Sequence, residues 1–212
     1  MDATTGGRLV SRVVERATVI SKRDIRHRAA IPPAGVPAVS PSPAGLRLEP
    51  AGWRSLLEVA GLQRRAFRPH LAYGLSTLIV LKLLPNVRFL IARAPLGQGG
   101  RVLGCGIGDR HQGQTRIINL AVDPVARRRG VGTALLRALE AALPRGDLML
   151  MVEEENVAAQ ALYRREGYVS VGAAAYYYGR GRSGLWMQKT RPDAPSASNS
   201  AGAGSYSPKF GR

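Results

Sequence analysis

Apolar residues recur along the middle of the chain with two different periods, which separate helices from strands. Spacings of three and four residues are typical of amphipathic helices, and short apolar or alternating runs between Gly and Pro are typical of strands. The first pattern predicts four helices, at 53–68, 71–84, 129–143 and 156–166. The second predicts seven strands, at 46–49, 87–93, 101–107, 115–122, 148–152, 168–174 and 185–189.

The order of these segments is β-α-α-β-β-β-α-β-α-β-β, which predicts one α/β domain over residues 46–190. The strand at 115–122, the helix at 129–143 and the strand at 148–152 form a β-α-β unit, so we expect its two strands in one mixed sheet. Residues 148–152 (LMLMV) are continuously apolar, as in a central strand that is buried on both faces.

The two ends of the chain differ from this middle part. Residues 1–45 carry seven Arg/Lys against three acids, an apolar spacing of helical period over 7–28, and five prolines within 31–44. These features predict a transit peptide followed by a Pro-rich linker, and the alternative is a basic extension on a cytosolic protein. Residues 191–212 are rich in Ser, Gly, Ala and Pro and are predicted to be a disordered tail.

Composition argues against several classes of protein. The 212 residues are 45% hydrophobic but contain no apolar run near 18 residues, which disfavours membrane insertion. Cys105 is the single cysteine, so we expect no disulfide within the chain and a thiol in the core. The histidines lack metal-ligand spacing, so no metal is expected. The formal net charge is +17, but the arginines are spread along the chain without a stacking platform of aromatic residues, which favours acidic ligands over nucleic acid.

A short basic turn with two glycines lies between the strand at 115–122 and the helix at 129–143. Its residues are Arg127, Arg128, Arg129, Gly130, Val131 and Gly132. The first amides of a helix have no intrahelical acceptor and carry the positive end of the dipole, and glycine lets a ligand approach the backbone. The turn is therefore predicted to bind a phosphate or diphosphate. A dinucleotide fingerprint and a P-loop fit less well, because a third glycine and a Gly-Lys-Ser/Thr sequence are absent.

A second motif follows about 25 residues later, after the buried strand. It consists of Asn156, Ala159, Leu162 and Tyr163, in the spacing N-x-x-A-x-x-L-Y. Together with the R-x-x-G-x-G of the basic turn, it resembles the two signatures of the GNAT superfamily of N-acetyltransferases, over about residues 45–190. The resemblance implies a mixed, mostly antiparallel sheet of about six or seven strands with about four flanking helices, and acetyl-CoA as the co-substrate.

The resemblance also implies which residues bind acetyl-CoA. These are Leu120, Ala121, Val122, Arg127, Arg128, Arg129, Gly130, Val131, Gly132, Thr133, Asn156 and Tyr163. The strand backbone would receive the pantetheine and thioester, the amides of the turn would hold the diphosphate, and Tyr163 would protonate the departing thiolate. A tyrosine suits that task, since its pKa of about 10 lies above the thiol's pKa of about 8.5. The alternative for Tyr163 is an aromatic residue that packs on the core.

The general base is less well defined. In the ribosomal-protein alanine acetyltransferases that the second motif resembles, a glutamate lies twelve residues before the tyrosine, and here that position is Met151. Glu153 lies two residues further along, on the same face of the strand, and is one candidate base. Water that relays the proton is the alternative, and Glu154 and Glu155 are predicted to be a solvated strand end.

The acceptor is predicted to be an amine on a protein or peptide. An α-amine has a pKa of about 8 and is partly neutral near neutral pH, whereas lysine at about 10.4 is almost wholly charged, so a weak base favours N-termini over lysines. Tyr177 and Tyr178 match a tyrosine pair that clamps the substrate in protein N-terminal acetyltransferases, and an aromatic ladder in a strand is the alternative. Arg180 and Arg182 make the following loop basic, which hints at acidic residues after the acetylated terminus.

The sequence therefore predicts an acetyl-CoA-dependent N-acetyltransferase of protein N-termini, with lysines as secondary acceptors. If residues 1–45 are a transit peptide, the chain resembles the plastid acetyltransferases of plants and algae, and the chloroplast stroma is its expected location, with mitochondrion or cytoplasm as alternatives. Two other functions stay open. One is an acetyltransferase for a small amine such as a polyamine or an aminoglycoside, and the other is a non-catalytic CoA-binding protein that docks acidic partners.

Overall fold

The computed structural model describes residues 45–191, except Leu96, Gln98, Gln112 and Arg145. The predictions of a transit peptide, a Pro-rich linker and a disordered tail therefore fall outside the described residues, apart from the single margin positions 45 and 191. Within this part of the chain, no helix combines the length and the apolar character that crossing a membrane requires.

In the described part of the chain, seven strands form one sheet and four helices pack against it. The strands are β1 (Arg47–Pro50), β2 (Val87–Arg93), β3 (Val102–His111), β4 (Gln114–Val122), β5 (Leu148–Glu153), β6 (Val169–Ala174) and β7 (Gly184–Lys189). The helices are α1 (Ser55–Ala66), α2 (Leu75–Leu83), α3 (Val131–Ala142) and α4 (Val157–Arg165). The strand order is β1-β2-β3-β4-β5-β7-β6, and only β4 and β5 run parallel to each other. The predicted mixed, mostly antiparallel α/β fold is confirmed.

The helices cover the two faces of this sheet in pairs. Helices α1 and α2 pack with β2 and β3 into one core, to which Cys105 belongs as a fully buried residue, as predicted. Helices α3 and α4 pack on the other face, where their apolar residues meet those of β5 and β7. The β5 residues Leu148, Leu150 and Val152 lie in this second core, and Met149 is buried toward the opposite face. The continuous apolar run therefore reflects burial on both faces.

Three glycines of β3 allow α3 to approach the sheet closely. A Cβ atom at Gly104 would lie 2.7 Å from Leu135 Cδ1, and one at Gly108 would lie 2.7 Å from Leu143 Cδ1. These distances are shorter than any van der Waals contact between carbons. The glycines therefore let the leucines of α3 rest directly on the backbone of β3.

Strands β4 and β5 separate at their carboxyl ends. Their pairing covers only Thr115–Ile117 against Leu148–Leu150, although β4 continues to Val122 and β5 to Glu153. The separation begins at a bulge in β4, where the register against β3 shifts and leaves Ile118 without a partner. Bulges bend a strand and end its pairing. A cleft is thus open between residues 118–122 and 151–153.

Helix α2 begins later than the apolar pattern predicts. Residues 71–74 form a turn, in which the Leu71 amide donates to the Arg68 carbonyl at 2.9 Å. Gly74 then adopts an extended conformation at the cap position of α2. The buried Gln63 holds this turn, because its Oε1 accepts from the Tyr73 amide at 3.4 Å. The predicted helix at 71–84 was wrong in this first turn, since a tertiary hydrogen bond there competes with helix formation.

Candidate active site

The basic turn links the open end of β4 to the start of α3. Asp123 ends the strand, and its carboxylate caps the following turn and pairs with Arg65 at 2.8 Å. Arg128 and Gly130 both have positive φ angles, of 61° and 78°, so the chain reverses within a few residues. Glycine adopts this conformation without strain, whereas residues with a Cβ atom, such as Arg128, rarely do.

The start of α3 presents free amides to one end of the cleft. The first intrahelical hydrogen bond runs from the Ala134 amide to the Gly130 carbonyl at 3.0 Å. The amides of Val131, Gly132 and Thr133 precede that bond, so they point out of the helix end. Backbone donors in this arrangement favour an anion such as a diphosphate. The residues present therefore fit the diphosphate of a coenzyme A donor.

Gly132 brings three elements together beside the turn. A Cβ atom there would lie 3.3 Å from Leu162 Cδ2 in α4 and 3.5 Å from Val122 Cγ2 in β4. The basic turn and the Asn156–Tyr163 motif, which carry the two signatures, are therefore in contact at Gly132 and Leu162. The close approach requires a very small residue at this position.

The three arginines of the turn have different environments. The Arg127 guanidinium donates to the carbonyls of Ala66 at 3.1 Å and Val122 at 3.4 Å, so it ties the end of α1 to the end of β4. Arg128 and Arg129 are exposed and form no ion pair with any described residue. Of the three predicted ligands, these two have side chains that are available to an anion, and Arg127 supports the turn.

Leu120, Ala121 and Val122 form the β4 side of the cleft. Their other edge pairs with β3 at Gly106, Cys105 and Gly104. The edge that faces away from β3 lies along the cleft, beyond the last residue that pairs with β5. Its backbone groups are therefore open to an extended ligand arm, and the contact of Leu120, Ala121 and Val122 with the donor stays a prediction.

Tyr163 lies in α4 and is almost completely buried. Its ring meets Tyr168 edge to face, with the ring centroids 5.7 Å apart. Burial raises its pKa well above that of a free tyrosine, so the hydroxyl is protonated at neutral pH. Among the described residues this hydroxyl has no hydrogen-bond partner. Tyr163 therefore packs in the core with a hydroxyl that is available as a donor, and its predicted role as the acid stays a prediction.

Asn156 caps the start of α4. Its Oδ1 accepts from the Ala159 amide at 3.1 Å, which is the usual task of an asparagine at this position. The side-chain NH₂ group faces the exposed surface, where it could donate to a ligand. The structure therefore gives Asn156 a structural role, and its predicted contact with the coenzyme stays a prediction.

Two tyrosines anchor the opposite sides of the cleft. The Tyr178 hydroxyl donates to the Met151 carbonyl of β5 at 3.1 Å. The Tyr73 hydroxyl donates to the carbonyl of Ile118, the bulged residue of β4, at 3.5 Å. Burial raises the pKa of both Tyr73 and Tyr178 above that of a free tyrosine, and the nearby Tyr177 raises both pKa values further. The pKa of Tyr73 reaches about 12. We refer to Tyr73, Tyr177 and Tyr178 as the tyrosine cluster.

Tyr177 extends this cluster across the sheet. Its ring packs edge to face on Tyr178 at 5.0 Å and on Trp186 at 6.1 Å between centroids. The predicted pair at 177 and 178 thus lies at the cleft, in the loop between β6 and β7. Tyr73 was missed, because it lies in the turn that the apolar pattern placed inside a helix.

Glu153 ends β5 and forms an ion pair with Arg182. The closest oxygen–nitrogen distance is 2.5 Å, and both side chains are largely buried. The Arg182 hydrogen bond lowers the pKa of Glu153, and Arg68 and His70 lower it further. His70 in turn contacts Arg182 at 2.6 Å. A carboxylate held in this way is a poor proton acceptor at neutral pH, so its predicted role as the base is not favoured by its surroundings.

No group of three or more His, Cys, Asp or Glu side chains that could hold a metal occurs in the described part of the chain.

Comparison with known proteins agrees with this geometry. Residues 85–170 match the family model of the acetyltransferase (GNAT) domain. This part of the chain is therefore similar to a GNAT domain, in agreement with the fold and with the two signatures. Solved structures that share this fold include complexes with coenzyme A.

Two curated relatives and one solved structure illustrate the range of this family. The chain is 36% identical over 99 residues to an uncharacterized N-acetyltransferase of Methanocaldococcus jannaschii. The aligned region covers 45% of this chain and 64% of the relative. It is also 33% identical over 150 residues to the mycothiol acetyltransferase of Beutenbergia cavernae, and this alignment covers 65% of this chain and 50% of the relative. The ribosomal-protein-S18-alanine N-acetyltransferase from Escherichia coli superimposes with a TM-score of 0.62 at 22% identity, over 73% of this chain and 99% of that one. The chain thus spans between half and two thirds of the length of these curated relatives.

Proposed function

We propose that the protein is an acetyl-CoA-dependent N-acetyltransferase that acts on the N-terminal α-amines of proteins. One observation carries this proposal. The cleft between β4 and β5 has an anion-binding helix start at one end and tyrosines bonded to both of its strands, and the neighbouring helix α4 carries the Tyr163 hydroxyl. The helix start and the Tyr163 hydroxyl suit a coenzyme A thioester, and the tyrosines on the two strands suit a substrate backbone with an amine.

The mechanism follows from the residues around the cleft. Acetyl-CoA supplies a thioester whose carbonyl carbon is attacked by the neutral amine. The amides at the start of α3 hold the diphosphate, and the exposed edge of residues 120–122 orients the arm that carries the thioester. As the C–S bond breaks, Tyr163 gives its proton to the departing sulfur, while water takes the proton that the attacking nitrogen loses and returns one to Tyr163. Its raised pKa keeps it protonated until that moment, and no competing acceptor holds the proton within the described residues.

The weak base at Glu153 bears on the choice of amine. The acceptor must lose a proton, and an α-amine with a pKa of about 8 is partly neutral without assistance. A lysine with a pKa of about 10.4 requires alkaline conditions or a stronger base. We therefore propose α-amines as the principal acceptors and lysines as secondary ones.

The relatives support two substrate classes. The Escherichia coli neighbour is named for a ribosomal-protein N-terminus, and the Beutenbergia cavernae relative is named for mycothiol. The tyrosine cluster favours the peptide, because its aromatic rings come from two separate segments and are bonded to both strands of the cleft, along which an extended backbone can lie.

The test is acetyl transfer by the full chain to three kinds of acceptor. These are peptides with free Ala, Ser or Met termini, an N-blocked peptide with one lysine, and small amines such as spermidine. Thiol release and mass spectrometry measure turnover and locate the acetyl group. We expect the highest kcat/KM with free N-termini. Transfer restricted to small amines would contradict the choice of substrate, and acetyl-CoA binding without any transfer would indicate the non-catalytic function.

We also propose a plastid location, which rests only on the composition of residues 1–45. A fluorescent protein fused to these residues should accumulate in plastids of a plant or algal cell. Accumulation in mitochondria or a diffuse cytosolic signal would contradict this proposal and leave the enzymatic one unaffected.

A further inference from the structure

Helix α2 carries apolar residues on every side, with Ser76, Thr77 and Lys82 as its only polar positions, although one side of it lies at the surface. Leu78 and Leu81 face the core. Leu75, Ile79 and Leu83 follow each other at intervals of four residues on the outer side, and all three are exposed, Leu83 to 65%. A helix that is apolar on all sides is normally buried. The outer side of α2 therefore has the character of a covered surface.

The exposed apolar surface continues onto α1. Leu57 is 69% exposed, and Trp53 is exposed one helical turn before it. A cavity of about 330 Å³ lies between the two helices, with Leu57 and Leu75 at its margin and Ala60 among its lining residues. We refer to Trp53, Leu57, Leu75, Ile79 and Leu83, with this cavity between them, as the α1/α2 surface.

The charges around the α1/α2 surface have one sign. The segment 53–84 contains a single acid, Glu58, and Arg93 neutralises it in an ion pair of 3.0 Å. Arg54, Arg64 and Lys82 lie in the same segment, and none of them forms an ion pair with a described residue. Arg64 also lines the cavity. The apolar surface is therefore accompanied by unpaired positive charge.

This charge distribution distinguishes between possible occupants. A second copy of the chain in a two-fold contact would place positive charge against positive charge, which opposes association. A partner with an apolar stripe and acidic flanks is complementary in both respects. A lipid surface also attracts basic apolar residues, but it is flat, whereas the cavity is a concave site of the size that receives protruding side chains.

We propose that the α1/α2 surface docks an acidic amphipathic helix of a partner protein. One large apolar side chain of that helix enters the cavity between Leu57 and Leu75, and others lie along Ile79 and Leu83. Acidic residues at the edge of the helix pair with Arg64 and its neighbours. This is the helix-in-groove mode, in which anchors recur at spacings of three and four residues. The proposal does not depend on the acetyl acceptor.

The test uses two labelled peptides of about 18 residues, long enough to form a helix. Both have leucines at spacings of three and four residues, and the remaining positions are mostly Glu in one peptide and Lys in the other. Fluorescence anisotropy measures their binding to the full chain and to three variants. Leu57→Glu and Arg64→Glu change the proposed surface, and Val169→Glu is the matched control, because Val169 is an exposed apolar residue of β6 at the far edge of the sheet.

We expect the Glu peptide to bind at least about tenfold more tightly than the Lys peptide, and both surface variants to weaken it by about tenfold. Val169→Glu should leave its affinity unchanged. Circular dichroism should show that all variants are folded, since the substituted side chains are exposed. Equal binding of the two peptides, or an equal loss in Val169→Glu, would overturn the proposal.

Two further results would assign the surface to another occupant and would also overturn the proposal. The first is binding to phosphatidylserine vesicles that Leu57→Glu abolishes while the Glu peptide does not bind. The second is a dimer of the full chain in light scattering that Leu57→Glu dissociates.

Discussion

On the donor side of the cleft, the residues proposed to hold the diphosphate and the arm lie within one stretch of chain, from Leu120 to Thr133, and they act mainly through their backbone. Tyr163 of α4 adds one side chain to this side. On the acceptor side, Tyr73 in the turn before α2 bonds to β4 and Tyr178 in the β6–β7 loop bonds to β5, so side chains from separate segments meet only through packing. Backbone sites of the first kind persist when side chains change, whereas sites of the second kind can be re-specified one residue at a time.

The sharpest test of the donor side is Tyr163→Phe. We expect kcat to fall by about a hundredfold or more, because loss of a general acid typically costs 10²–10⁴ in rate. The hydroxyl has no partner among the described residues, so the thermal midpoint should change little. Steady-state kinetics and calorimetric titration with acetyl-CoA separate rate from affinity. Unchanged turnover would leave Tyr163 with a packing role only.

Gly130→Ala tests whether the donor side acts through its backbone. The φ angle of 78° at Gly130 is strained for alanine, so we expect about 1 kcal/mol lower stability and a KM for acetyl-CoA raised by about tenfold. Gly113→Ala is the matched control, because Gly113 has a φ angle of 81° in a turn with open space around it. The control should lose a similar stability with an unchanged KM. A raised KM in both variants would show a general effect of destabilisation.

On the acceptor side, Tyr178→Phe removes the hydroxyl that anchors the β6–β7 loop to the Met151 carbonyl. A hydrogen bond of this kind contributes about 1 kcal/mol, so we expect the KM for a peptide to rise by about fivefold and the KM for acetyl-CoA to stay unchanged. Tyr176→Phe provides the control, since Tyr176 is in the same loop and exposed. If both substitutions have the same effect, the anchor does not position the substrate.

The smallest effect is expected for Glu153→Gln. Arg182 lowers the pKa of Glu153 below its usual value, so the carboxylate is already ionised throughout the neutral range and does not titrate there. We expect kcat/KM to fall by less than about threefold. In both proteins kcat/KM should rise between pH 6.5 and 9, because the α-amine of the substrate loses its proton in this range. The pH profile of both proteins gives the answer. A loss of a hundredfold with a displaced acidic limb would establish Glu153 as the base.

The same ion pair gives a stability prediction of definite sign. A carboxyl whose folded pKa is lowered stabilises the fold above its unfolded pKa, and this contribution is lost as the pH falls through the folded value. Thermal unfolding of the wild type and of Glu153→Gln should therefore differ at neutral pH and converge in strong acid. A difference that stays constant over this range would contradict the assignment.

Features of the fold and the site were predictable from the sequence when the interacting residues lie close together along the chain. The strands, the β4–α3 turn and the order of elements along the chain follow from local patterns, because their causes lie within a few residues. Tyr163 was found from a motif on one helix, and its packing in the α3/α4 core is the alternative that the sequence left open. The seven strands and the β-α-β unit are present as predicted.

The acceptor side could not be predicted to the same degree. Nothing near Tyr73 indicates that its hydroxyl reaches Ile118, which is 45 residues away. The pairing of Glu153 with Arg182 depends on a loop 29 residues later, and it converted a candidate base into a clamped carboxylate. Helix α2 was predicted too long for a related reason, since the Gln63 side chain holds the turn before it.

The glycines of β3 have a consequence for the reach of the donor site. With no side chains between Gly104 or Gly108 and the leucines of α3, backbone contact sets the height of this helix above the sheet. This packing thereby fixes the position of the first α3 amides relative to the cleft. We therefore expect a constant distance between these amides and the far end of the cleft, which would favour donors of one arm length.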